Sequence, residues 1–170
     1  MHVHPARAAR VVLVATLLVG GTALGTTGCA VGERHRSPDE VAASVQGAGE
    51  QAGSAVATVR TAVVLLGDDR LAVTTADTAQ ADSVRVLEEA TRTLTTLAPP
   101  DARTGRARDA VLAAVQDATT AVVAAGAWIT ASGPRTGDDR AEPPPEVLAV
   151  LDDAAGGLDR AIADADGAGS

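Results

Sequence analysis

Val41, Val45, Ala48, Ala52, Val56, Val59, Val63 and Leu66 follow one another at steps of three and four. That spacing sets them on one stripe of an α-helix, with mainly small and polar residues between them. Ser37-Pro38-Asp39-Glu40, just ahead of the stripe, reads as a helix start. The Ser37 hydroxyl can accept from the Glu40 N–H, the Glu40 carboxylate can accept from the Ser37 N–H, and Pro38 stands where no N–H is needed. Gly67-Asp68 closes the element, so a first helix is expected over 38–66. Gly47, Gly49 and Gly53 lie inside it, each lowering helix propensity by roughly 1 kcal/mol relative to alanine. Gly49 flanks the apolar stripe, where a missing side chain lets a partner helix come close.

The same period returns three times. Val73, Ala76, Val84, Leu87, Ala90, Leu94 and Leu97 mark a second helix over 74–97. Its start is expected near Thr74 or Thr75, with Asp77 or Thr78 completing the first turn, and Pro99-Pro100 stops it. Gln80 interrupts this face and is expected at a wet edge or hydrogen-bonded within the core. Glu88 and Arg92 are spaced for a surface pair worth only a few tenths of a kcal/mol. A third helix, over 101–132, opens at Asp101 and carries Ala107, Val111, Ala114, Val115, Ala118, Val122, Ala125 and Ile129 on one face. After it, GPRTGDDRAEPPP is a loop by composition and longer than most bundle connections. Leu148, Leu151, Ala155, Leu158 and Ile162 mark a fourth helix over 144–165. Gly156-Gly157 is expected to bend or fray it, and the closing GAGS to be disordered.

No run alternates with period two over the length of a strand. The expected fold is therefore all-α, an antiparallel up-down four-helix bundle spanning residues 38–166. Its core is mainly alanine and valine. Such side chains bury little area each, and at ~25 cal/mol per Å² the bundle should be only modestly stable.

The first thirty residues do not share this period. Arg7 and Arg10 precede the apolar run Val11–Val19, and Val11 to Leu24 covers only 14 residues. A bilayer core needs roughly 20 helical residues, so this is the anatomy of a secretory signal rather than a membrane span. The segment ends Thr26-Thr27-Gly28-Cys29, with the only cysteine of the chain. These four residues resemble the lipobox of bacterial lipoproteins, a motif that ends in an invariant cysteine. Thr27 and Gly28 match its small residues; Thr26 departs from it, since an apolar residue is usual there. The resemblance implies that the Cys29 thiol takes a diacylglyceryl group and that a peptidase then cuts before it. Residues 1–28 would then be a signal peptide and 29–37 a lipidated cysteine with a short tether. The membrane partner would be reached through the lipid on Cys29, at the extracytoplasmic face of the cell membrane. The residues alone leave two other readings open: a cut elsewhere, as after Gly25, or an uncleaved short anchor.

Composition narrows the rest. There is no Lys, Asn, Phe or Tyr, and Ala, Val, Gly, Thr, Asp and Arg dominate. This is the coding bias of a high-GC genome, and the whole chain resembles the small Ala-rich helical lipoproteins of actinobacteria. All 22 acidic residues follow Cys29, with every arginine except Arg7 and Arg10, so a chain starting there carries a net charge of −10. An acidic surface without a basic, aromatic stripe disfavours nucleic acid as a partner.

Candidate chemistry is sparse. Beyond Cys29 the single histidine is His35, in the tether, and the serines have no histidine to activate them. The Glu-x-x-His pattern of bundle metal sites is missing. The expectation is a non-catalytic protein without cofactor or metal. Asp152 and Asp159 share one helix face beside the apolar stripe, as a solvated acidic face or as a contact for a cation or a basic partner. Trp128, the sole aromatic residue, flanks the third stripe near its C-terminal end. It reads as a plug for one end of the bundle, or as an anchor for a partner, ligand or headgroup layer. The first is preferred, because large aromatics mostly bury. Together these features suggest an accessory or protein-interaction module acting on an unidentified envelope protein, with a ligand- or ion-binding helical sensor as the alternative.

Overall fold

The structure is a computed structural model that describes residues 37–133 and 142–169. The expected signal segment, Cys29 and most of the third connection lie outside those residues. Four helices are present: α1 Pro38–Gly67, α2 Val73–Thr96, α3 Ala102–Ala131 and α4 Pro145–Gly169. No strand occurs among the described residues.

α1 and α3 each pack against both α2 and α4, and they meet each other across the diagonal; the backbones of α2 and α4 make no close approach. Specific contacts give the directions. Gly49 of α1 lies against Ile162 of α4, and Gly67 lies against Pro143 just before α4. Gln80 of α2 reaches the Val122 carbonyl of α3 at 3.5 Å, while Arg108 of α3 reaches back to the Leu97 carbonyl at 3.1 Å. Arg103, in the first turn of α3, donates to the Gly167 carbonyl near the end of α4 at 2.5 Å. Neighbouring helices therefore run antiparallel, and the fold is the up-down four-helix bundle expected from the four stripes.

The core follows those stripes. Leu87, Leu94, Ile129, Leu151 and Leu158 are its largest fully buried side chains, with valines such as Val41, Val56, Val115 and Val122 between them. Ala55, Ala62, Ala121, Ala154, Ala161 and Ala165 are buried as well, although they stand outside the stripes read from the sequence. In a bundle whose core side chains are short, helices come close enough to cover alanines flanking the stripe. Ser83 is the one buried polar residue among those described, and its hydroxyl donates to the Ala79 carbonyl at 2.8 Å. Gln80 is half-buried, as the sequence suggested, and fits because Gly126 opposite it has no Cβ to collide with the amide.

Helix ends were partly legible. Ser37 caps α1, and both halves of the capping box with Glu40 are formed, at 3.2 and 2.8 Å. α1 closes by a Schellman motif: Asp69 N–H donates to Leu66 and Arg70 N–H to Leu65, with Asp69 at φ 61° in the left-handed region. Aspartate tolerates that conformation better than most residues. α2 begins one residue earlier than expected and has no side-chain cap, because Ala72 holds the cap position and Thr74 lies inside the first turn. Arg92 pairs with Glu89 rather than with Glu88, one residue away on the other side of the turn. α4 runs unbroken through Gly156-Gly157, whose neighbours Leu151, Ala154, Leu158 and Ala161 are all buried against the bundle. Nor does the helix stop at 165. It continues to Gly169, where the Arg103 guanidinium satisfies a terminal carbonyl that would otherwise face only water.

Candidate functional site

The residues singled out in the sequence do not converge on one place. Cys29 lies outside the described residues. Trp128 is in the last turn of α3 and is half-buried, packed against the core at the end that holds the α1–α2 turn. Its carbonyl accepts from both the backbone N–H and the hydroxyl of Ser132, which finishes the helix there. Trp128 thus contributes to closing that end of the bundle while keeping part of its surface in solvent.

Asp152 and Asp159 are both exposed on α4. They are seven residues apart, about 10 Å along a helix, too far to share one ion. Among the described residues no group of three potential metal ligands comes together. Asp152 already has a basic partner within the chain. Arg60 of α1 donates to it from Nε at 2.5 Å and from Nη2 at 3.3 Å, a two-point pair across the α1–α4 seam. The sequence offered no sign of this contact, which depends on how α1 and α4 are offset along their axes. Both side chains are about half exposed, so the pair orients the seam more than it stabilises it.

Two carboxylates are nevertheless set apart from the rest. The hydrogen bonds from Arg60, helped by its charge, hold Asp152 below the usual carboxylate range. Asp101, the cap of α3, is lowered by the Thr104 N–H at 2.8 Å and then by the Thr104 hydroxyl at 3.0 Å. A carboxyl whose folded value is depressed stabilises the fold in full above its ordinary value of 3.8, and that contribution is lost as the pH falls through the lower folded value. The melting temperature should therefore drop more steeply below pH 3.8 in the parent than in Asp152→Asn, which keeps the shape of the side chain without its titration. Superimposable acid profiles for the two proteins would show that the Arg60 pair contributes nothing to folding.

Four serine hydroxyls are engaged locally, within or at the ends of their helices. Ser44 donates to Glu40, Ser83 to Ala79 and Ser132 to Trp128, each through a backbone carbonyl, and Ser37 serves as a cap. What the sequence missed is a pair of arginine clamps. Arg103 and Arg108, on the first turns of α3, tie down the carbonyl ends of α4 and α2. Their only sequence signal is the arginine-rich start of the third helix.

α3 is long and apolar enough to cross a membrane by length and composition. Here Val111, Val115, Val122, Ala125 and Ile129 of that helix are fully buried against the other three. Comparison with family models, with curated proteins and with solved structures finds no match to the chain.

Proposed function

We propose that this chain is a lipid-anchored, extracytoplasmic protein of the cell envelope, and that its bundle acts as a non-catalytic accessory module that contacts another envelope protein. The observation that carries the reading is the position of Cys29, the only cysteine, at the end of a short apolar segment preceded by Arg7 and Arg10. The start of the folded body is consistent with it. Ser37 is already engaged as the cap of α1, so only residues 29–36 separate the cysteine from the bundle. Eight residues reach at most ~29 Å even when fully extended, which keeps the domain close to the membrane. The net charge of −10 after Cys29 favours a partner with a basic face over an anionic lipid surface.

Mass spectrometry of protein extracted from membranes tests the anchor directly. The expected N-terminus is an acylated Cys29, and Cys29→Ala should move the protein from the membrane to the soluble fraction. A mature chain that begins at Thr26 with a free Cys29 thiol would refute the anchor. Crosslinking in intact cells then tests the module, since the lipidated form should join a defined envelope protein.

A further inference from the structure

The two ends of the bundle are filled differently. Around the α1–α2 turn, Leu66, Leu71, Trp128 and Leu148 pack against the core. At the other end, where α1 and α3 begin and α4 finishes, the facing positions are Ala42, Ala107 and Ala165. Just inward the packing is tight, with Gly49, Ile162 and Val111 in close contact. Outward of that layer the alanines leave a cavity of about 340 Å³ between α1, α3 and α4. That is within the size range of small-molecule sites.

Its mouth is formed by Asp39, Asp101 and Arg103. Asp101 is occupied by the Thr104 N–H and hydroxyl, and Arg103 by the Gly167 carbonyl. The Asp39 carboxylate has no hydrogen bond or ion pair among the described residues. The positive ends of α1 and α3 at the mouth are countered by Asp39, Glu40 and Asp101, and α4 brings its negative end to the same place. Among the described residues the one guanidinium at the mouth, Arg103, does not offset these charges, so the described mouth is net negative over an apolar floor.

We propose that this cavity is a binding site for an aliphatic amine, with the ammonium on Asp39 and the hydrocarbon body against Ala42, Val45, Ala107 and Ala165. A carboxylate of the same length would meet like charge at the mouth. A wholly polar cation would gain nothing from the alanine wall. The site is separate from Trp128, which closes the opposite end, and it does not depend on the lipid anchor.

Calorimetric titration of the full-length protein carrying Cys29→Ala, with hexylamine, octylamine and decylamine, tests the proposal without an attached lipid. One saturable site is expected, with binding tightening roughly tenfold for each pair of added methylenes until the cavity is full. Octanoate should not bind. Asp39→Asn, a change at an exposed position that leaves the core intact, should weaken octylamine binding about tenfold. Ala107→Leu, which pushes a larger side chain into the cavity, should weaken it. Absence of saturable binding by any of the amines overturns the proposal. So does equal binding of octanoate, or octylamine affinity unchanged in Asp39→Asn.

Discussion

Leu158→Ala is expected to lower the free energy of unfolding by about 2–5 kcal/mol. Leu158 is fully buried on α4, and most of the core around it is alanine and valine. Short side chains cannot swing into the space a leucine leaves, so the cavity stays and its cost falls toward the upper part of that range. A domain of this kind has about 5–15 kcal/mol in all, so one leucine carries a large share. Urea denaturation followed by circular dichroism measures the loss, with Leu148→Ala as the comparison because Leu148 is only half-buried. A Leu158→Ala protein less perturbed than Leu148→Ala would mean that α4 does not seat as described.

The second large effect has opposite signs at two glycines of one helix. A Cβ added at Gly49 would lie 2.7 Å from Ile162 Cγ1 and 3.3 Å from Val111 Cγ1. Gly49→Val adds two further methyl groups at that contact, and overpacking of this kind costs about 1–3 kcal/mol. At Gly53 an added Cβ meets nothing within 4 Å. Gly53→Ala should therefore stabilise the protein by up to about 1 kcal/mol through helix propensity alone. Thermal melts of the two variants should fall on either side of the parent. If both rise, α1 and α4 are not in close contact at Gly49.

That contrast shows where sequence reading succeeds in this protein. The stripes were legible because a helix of 3.6 residues per turn must repeat its apolar positions at three and four. The capping box was legible because Ser37 and Glu40 act within one turn. Gly49 was legible as a close-approach point because it borders the stripe. Features that depend on the offset between helices were not. Arg60 and Asp152 are 92 residues apart, and no local pattern pairs them. The continuity of α4 through Gly156-Gly157 was missed because intrinsic propensity is outweighed by buried neighbours on both sides. The cavity was missed for a different reason: it is made by what Ala42, Ala107 and Ala165 lack, and an alanine, whether in a stripe like Ala107 or beside one like Ala42 and Ala165, looks the same whether its space is filled or empty.

The up-down path also gives the bundle a near and a far pole. α1 starts and α4 finishes at one pole, and a helix of 30 residues is about 45 Å long. Any attachment through the chain ahead of Ser37 therefore holds the Asp39 mouth close to the attachment point and carries the turn at Asp69 and the exposed part of Trp128 some 40 Å away. A label added after Gly169 would report on the near pole, and one inserted at Asp69 on the far one. Under the anchor proposed above, antibodies raised to these two labels would see very different amounts of the same molecule on an intact cell.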